Sequence, residues 1–440
     1  MHRFTHRAIQ GVLAGLVCFS GPVLATNGYF AHGYGTKNNA LAGAGVALPQ
    51  DSLAAATNPA GMAWVGDRMD FGVGLFNPNR EYTPAMPTGA TGYGGGAGLA
   101  NGNGTTIESD NTLFLVPHFG RNWSRSDNST FGVTVYGNGG MNTEYKASDT
   151  PGGYGTFGNA MSPAGDAGVD LMQLFVAPTY AKKVSDKFTW GASAIVAYQR
   201  FAAKGLMNYG GLSTDATKLT NNGHDDSFGL GARVGILAQV SPAVTFGASY
   251  QTRVYMQEFD KYAGLFAEQG DFDVPANATI GIAWKTSDKS TLVADLQWIG
   301  YSDIAAVGNP ISPNITNCMG AMASYCLGGD NGIGFGWDDM TILKLGYQWQ
   351  TSPEMTWRLG YSHGDQPIPT SELVFNILAP AVIEDHVTFG FTRQTGKDSE
   401  FNFAVMHALE NSVSGNPTGE QAIELKMNQW QVEASWGWTF

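Results

Sequence analysis

The chain has 440 residues; 14% are charged, 12% are aromatic, 59 are glycine, and the net charge is −13. So few charges with so many aromatics argue against a disordered chain and for many strands. The acidic balance argues against a basic nucleic-acid footprint.

The chain opens with the basic stretch MHRFTHR, followed by the apolar run AIQGVLAGLVCFSGPVL and small residues suited to cleavage after Ala25. Residues 1–25 therefore read as a secretory signal. Its removal takes away Arg3 and Arg7 and no acid, which moves the net charge from −13 to −15. Cys18 falls in the apolar run, but Leu16 and Val17 before it are not the small pair that lipid attachment uses. The other two cysteines, Cys318 and Cys326, form a close pair, which in an exported chain predicts a disulfide. No Cys or His neighbour completes a metal site, and no metal or cofactor is expected. No later window holds ~18 consecutive apolar residues, so no membrane-spanning helix is expected. An exported chain of this kind is either soluble or an outer-membrane β-barrel.

Residues 26–67 are rich in Ala, Gly and Asn and show neither helical nor strand periodicity. Their polar backbone cannot face lipid. They either hang in the periplasm or fold inside a barrel. From residue 68 onward, period-two alternation dominates. Trp430, Val432, Ala434, Trp436, Trp438 and Phe440 share one parity, with Gln431, Glu433, Ser435, Gly437 and Thr439 on the other. The same pattern predicts strands near 68–79, 111–123, 130–137, 170–182, 188–200, 226–240, 243–257, 275–285, 290–302, 338–350, 354–364, 384–394, 399–409 and 428–440. An even number of strands is what a single-chain bacterial barrel requires.

The connections alternate strictly. SRSDNS, KVSDK, SP, KTSDK, TSPE and QTGKDS are short polar turns. The intervening stretches, near 80–110, 138–169, 201–225, 258–274, 303–337, 365–383 and 410–427, are long. Short periplasmic turns alternating with long outer loops mark a membrane barrel rather than a soluble sandwich. The fold expected is all-β, a 14-stranded antiparallel transmembrane β-barrel over 68–440. Cys318 and Cys326 then staple an outer loop.

GTKNNALAGAGVALPQDSLAAATNPAGMAWVGDRMDFGVGLFNP and GFGWDDMTILKLGYQWQTSPEMTWRLGYSHGDQPIP resemble the FadL family of outer-membrane long-chain fatty acid transporters. The resemblance covers most of the chain and weakens in the outer loops. It implies that residues 26–67 form an N-terminal hatch inside the lumen, with Asn58, Pro59 and Ala60 as the family's hatch motif. It also implies capture of a hydrophobic ligand by outer loops, an internal apolar pocket, and lateral exit at an inward kink of the third strand. Gly137, Asn138, Gly139 and Gly140 are the candidates for that kink, because Gly tolerates the conformations that interrupt pairing. A plain alternative is that this run only begins the outer loop. For Asn58-Pro59-Ala60 the alternative is a turn that pins the segment.

Arg200 matches an arginine that lies near the bound acid in the family, although its parity places it with Trp190 and Tyr198 on the outward face. The family's lysine after the ninth strand has no counterpart in IGYSDIAAVGNP, which leaves room for uncharged alkanes or aromatics. Phe259, Tyr262, Leu265 and Phe266 follow a helix-like spacing in an outer loop and are expected either to form a capture groove or to pack against the 201–225 loop. Arg233, Arg253, Lys344 and Arg358 are expected to face the lumen and pair with acids such as Asp295 and with the leading segment. The expected partners are a hydrophobic small molecule and outer-membrane lipid and lipopolysaccharide, for a monomer without nucleic acid. No nucleophile motif points to an enzyme. A general polar porin is the rival class, and it requires an open lumen.

Overall fold

The computed structural model describes residues 27–87, 99–417 and 419–440. The expected signal segment and Cys18 lie outside the described residues. The alternating pattern folds into fourteen long strands, each antiparallel to its neighbours in one closed wall. They are β1 (Arg68–Pro84), β2 (Phe114–Ser124), β3 (Ser129–Asn142), β4 (Gly168–Ser185), β5 (Phe188–Lys204), β6 (Asp225–Ser241) and β7 (Val244–Gln251). Then follow β8 (Asn277–Ser287), β9 (Ser290–Ile299), β10 (Met340–Ser352), β11 (Met355–Gly364), β12 (Asp385–Gln394), β13 (Ser399–Gly415) and β14 (Ile423–Thr439). The ring closes where β14 pairs with β1, from Arg68 opposite Thr439 to Pro84 opposite Ile423. Two further two-residue pieces, Ile107–Glu108 and Tyr255–Met256, pair with β1 and β6.

Each predicted strand is present. β6–β7, β8–β9 and β10–β11 turn within two residues, as Ser241 opposite Val244, Ser287 opposite Ser290 and Ser352 opposite Met355 show. The expected strand over 243–257 is shorter: β7 ends at Gln251, and the Thr252 side chain and backbone bond to Ala232 instead of continuing the ladder. Several strands outrun a bilayer. β4 has 18 residues, whereas a membrane strand needs ~9–11. The excess extends the wall beyond lipid and carries the outer loops.

The two faces of the wall have different surroundings. Phe71, Leu75, Trp123, Trp190, Leu230, Ile280, Leu345, Leu359, Val432 and Trp436 are exposed on the outside. An apolar belt of this extent is intolerable in water and matches a lipid-facing band with aromatic residues. The inner face is polar yet buried: Asp70, Gln199, Arg233, Asp295, Lys344, Arg358, Glu400 and Glu433 are all shielded. Among the described residues no helix is long and apolar enough to cross a membrane.

Residues 27–67 provide the shielding. They form short helical turns, Thr36–Asn39, Ala54–Thr57, Pro59–Gly61 and Met62–Val65, that touch the inner wall around much of its circumference. Thr36 Oγ1 and Asn39 Nδ2 donate to Glu433 on β14 at 2.8 and 2.5 Å. Lys37 pairs with Glu400 on β13 at 2.5 Å. The amides of Gly45 and Val46 donate to Asp295 on β9 at 2.7 and 2.9 Å. Lys344 on β10 donates to the His32 carbonyl at 2.8 Å, and Arg358 on β11 to Gln50 Oε1 at 3.0 and 2.8 Å. Trp64 donates to Thr189 on β5 at 2.8 Å. Such buried polar groups cost stability unless paired, so the inner polar parity and the leading segment satisfy each other.

Candidate functional site

Asn58, Pro59 and Ala60 sit where the leading segment meets β5 and β6. Asn58 is 2% exposed and extended, at φ −149° and ψ 109°. Its Oδ1 accepts from the Ala60 amide at 3.1 Å, which caps the following turn. Its Nδ2 donates to the carbonyls of Val46 at 2.8 Å and Ile236 on β6 at 3.0 Å. The wall admits this contact because it carries glycine there. A Cβ on Gly235 would lie 2.0 Å from Asn58 Oδ1, and one on Gly191 would lie 2.5 Å from the Pro59 carbonyl carbon. Glycines on the polar parity were a readable sign of close approach from inside the barrel, and the sequence reading passed over them.

The Gly137-Asn138-Gly139-Gly140 run does not begin a loop. It lies inside β3, which continues to pair with β4 as far as Asn142, but the register slips by one residue between Gly137 and Gly139. Asn138 is the extra residue of a β-bulge. On the other side, pairing with β2 stops at Phe119 opposite Val135, so Phe114–His118 have no partner from β3. The free side of β3 is taken by the leading segment instead. The Ala31 amide donates to the Asn138 carbonyl and the Gly140 amide to the Tyr29 carbonyl, both at 2.8 Å. Gly139 is required for this approach, since a Cβ there would lie 1.7 Å from the Tyr29 oxygen. Asn138 itself is buried, donating to Gln173 at 3.0 Å and accepting from the Tyr34 hydroxyl at 3.1 Å. The β2–β3 ladder is therefore interrupted beyond Val135, and the chain joins β3 again farther out, where the Asp110 amide donates to the Glu144 carbonyl at 2.8 Å.

Phe259, Tyr262, Leu265 and Phe266 do not form a helix. The stretch is a 3-10 turn at Asp260–Tyr262 and a tight turn at Ala267–Gly270, with Glu268 and Gln269 at positive φ. Nor do they form an exposed groove. Phe259 and Tyr262 are 0% exposed, and with Phe266 they surround Phe201 on β5 at 5.6, 4.9 and 4.7 Å between ring centroids. The loop is tied to the 201–225 loop by Ser213 Oγ to the Gly264 carbonyl at 2.6 Å and by Asn222 to the Lys261 carbonyl at 3.0 Å. Packing against the 201–225 loop is the arrangement that forms.

Leu265 and Phe266 do line a cavity beneath the outer loops, with Val169, Phe201, Leu206, Leu327, Phe335, Phe375 and Leu378 among its other walls. Its volume is about 30 Å³, and none of its lining residues is charged. The Cys318–Cys326 disulfide forms in the 303–337 loop, next to Leu327. Beneath, among Tyr34, Asn38, Arg233, Asn277, Gln297 and Lys344, lies a second void of about 20 Å³, whose lining is mostly polar.

Arg200 is not brought to the cavity. The β4–β5 ladder runs unbroken from Gly168 opposite Lys204 to Val176 opposite Val196, so no bulge turns Arg200 inward. It is about a third exposed on the outward face, beside His224 at 3.0 Å and Asp170 at 3.9 Å. Arg253 stands at the outer rim, bonded to Asp273 at 2.5 Å and near Asp271 at 3.5 Å. Burial and the neighbouring Asp273 carboxylate push Asp271 up to about 7. Arg233 pairs with Gln251 rather than with an acid, at 2.5 Å. Among the described residues no group of His, Cys, Asp and Glu could hold a metal ion.

The sequence reading missed Tyr301 and Trp337. The Tyr301 hydroxyl donates to the Asn27 carbonyl at 2.5 Å and accepts from the Tyr29 and Phe30 amides at 3.2 and 3.3 Å. Trp337 packs on Tyr301 at 5.2 Å and donates to Asn376 at 2.6 Å.

Lipid outside, polar packing inside and an apolar cavity above define an outer-membrane β-barrel channel for hydrophobic compounds, crossing the membrane with strands alone. The chain belongs to the outer membrane protein transport protein family (OMPP1/FadL/TodX), whose sequence profile matches residues 17–437. That is a family of transport channels, not of enzymes. No curated protein matches the chain by sequence. The fold is similar to that of the P. putida toluene transporter TodX, at TM-score 0.65 and 17% identity over 93% of this chain and 99% of that one. It is also similar to a Pseudomonas aeruginosa FadL homologue, at TM-score 0.69 and 16% identity over 94% and 100%. The Ralstonia pickettii toluene transporter TbuX aligns at TM-score 0.62 and 18% identity over 93% and 99%.

Proposed function

We propose that this monomeric channel takes up hydrophobic compounds passively, and that they leave sideways into the bilayer through the opening between β2 and β3. The observation that carries this is the end of β2–β3 pairing at Val135, with residues 29–31 lying against the freed side of β3. Ligand enters between the outer loops, where lipopolysaccharide surrounds the rim, and rests in the apolar cavity, which it widens by parting the loop side chains that line it. Residues 26–67 act as the hatch. They bar the downward path, which is lined by polar groups such as Arg233 and Lys344. An apolar chain gains ~0.8 kcal/mol for each CH₂ kept from water, so lipid is the favoured destination. Asn58, Pro59 and Ala60 hold the hatch to β5 and β6 and transmit its movement. The substrate in this reading is a long-chain fatty acid. A second reading, uptake of uncharged alkanes or aromatics by the same route, is favoured by the uncharged lining of the cavity. The TodX and TbuX channels similar in fold are described as toluene transporters.

Deleting Asn138 removes the extra residue and lets β3 run on in register. The expected result is loss of oleate or toluene uptake by a deletion strain complemented with this variant, with the barrel correctly inserted. Wild-type uptake through the straightened wall would overturn lateral exit.

A further inference from the structure

Five neighbouring strands carry polar side chains at one height of the inner wall: Arg233 on β6, Gln251 on β7, Asn277 and Thr279 on β8, Gln297 on β9 and Lys344 on β10. All six are buried. Gln251 stands opposite both Arg233 and Asn277 in register, and Thr279 stands opposite Gln297. All but Gln251 enclose the polar void of about 20 Å³, which His32 and Tyr34 of the leading segment close from the other side. Arg233 is the unusual member. It is 3% exposed, and its Nη2 donates to Gln251 Oε1. Its Nε and Nη1 have no partner among the described residues. The Tyr34 ring lies 5.8 Å from its central carbon, and no carboxylate is among the residues around the void.

The groups around this guanidinium are mostly donors. Gln251 has its oxygen committed to Arg233, so it presents only N–H, and its Nε2 has no partner. Lys344 spends one of its three N–H groups on the His32 carbonyl at 2.8 Å. Asn277 Nδ2 and Gln297 Oε1 have no partner either, and an amide turns whichever end a guest requires. The acid in register with Lys344 is Asp295, whose Oδ2 accepts from the Gly45 and Val46 amides. Two cations, Arg233 and Lys344, against that one acid leave a charge of +1 shielded from solvent. A buried charge is costly unless it is compensated. A water molecule brings donors of its own to a site already rich in them, whereas an anion brings only acceptors.

We propose that this void holds one small monovalent anion, a halide such as chloride, between the leading segment and the wall. The size of the void selects it. A volume of about 20 Å³ admits one water-sized guest, and a carboxylate or phosphate group, with its several heavy atoms, does not fit. Chloride is little larger than water and accepts hydrogen bonds from every side. It takes the Nε and Nη1 N–H groups of Arg233 and the amide of Asn277, as charge-assisted bonds. Nothing in this assignment depends on which hydrophobic compound the channel carries. Because the void is closed by wall and leading segment together, the anion is held only while that segment is seated. Bound anion therefore stabilises the seated segment by mass action.

The direct test is diffraction from crystals of the full chain grown in sodium bromide, read at the bromine absorption edge. An anomalous peak within hydrogen-bonding reach of Arg233 Nε and Nη1 is expected. A void that holds water and gives no peak would overturn the site. The solution test follows amide exchange of residues 31–57 in nanodiscs at equal ionic strength. Protection should rise with chloride or bromide concentration and should not rise with gluconate or sulfate, which are too large to enter. Arg233→Met should erase the halide dependence, and a dependence that survives the substitution would overturn the assignment to Arg233. If that variant does not insert, the wild-type comparison of chloride with gluconate decides. Equal protection in the two salts would overturn the stabilising role, and a bromide peak without that difference would mark binding at crystal concentration only, which overturns it as well.

Discussion

One hydroxyl fixes the start of the leading segment. Tyr301 reaches Asn27, Tyr29 and Phe30 across more than 270 positions of sequence. Tyr301→Phe leaves the buried Tyr29 amide unpaired, while the Phe30 amide and the Asn27 carbonyl keep their bond to each other at 3.2 Å, at a cost of about 1–3 kcal/mol. A lowered unfolding midpoint and faster protease cleavage near residue 30 are expected; an unchanged cleavage rate would show that other contacts hold the segment. Asp271 belongs to the same scale. Its raised pKa means that the folded loop favours the neutral acid. Its contribution is full below the ordinary aspartate range and is lost as pH rises through about 7. Arg253, Asp273 and Glu268 are the charges that face it. Amide protection in 258–274, relative to the base-catalysed intrinsic rate, should therefore be lower at pH 8 than at pH 5, and equal protection would contradict the shift. Asn58 was legible in sequence because Asn before Pro is a turn former with its own local logic. Tyr301 was not, because nothing near it in the chain announces partners so far away.

At the scale of elements, β3 shows what period-two reading can and cannot give. Its first half alternates normally, and the glycine run flags irregularity. That the run stays in a strand while changing partners depends on β4 holding one side and residues 29–31 supplying the other. The 256–273 loop shows the converse. Its apolar spacing fits a helix, but Phe201 gathers three of its rings, and positive φ at Glu268 and Gln269 ends any helical run. The disulfide acts on the neighbouring loop. It closes a short stretch of chain, so replacing both Cys318 and Cys326 by Ser should cost about 2–3 kcal/mol. The expected signature is faster exchange confined to 303–337, with strand amides unaffected. Loss of protection in β9 and β10 as well would mean that the loop and the wall unfold together.

For the whole molecule, the question is whether water can pass. The fourteen-strand ring is wide enough to form a pore, and residues 27–67 bond to strands around it. The wild type should show no steady ion conductance in planar bilayers. Deleting residues 27–66 should open a persistent conductance, provided the barrel inserts. Steady conductance by the wild type would favour a polar porin.

The sequence by itself determined the number of strands, their order, the side on which turns are short, and which face meets lipid. Those follow from alternation, because each face of a strand keeps one environment along its length and the parity of its residues reports it. The tertiary structure alone decided that β3 leaves β2 at Val135 and that the leading segment takes the vacated side. These depend on closing β14 onto β1, which brings the start of the chain against strands hundreds of residues away. A local pattern carries the environment of a face, but not the identity of the group that will fill it.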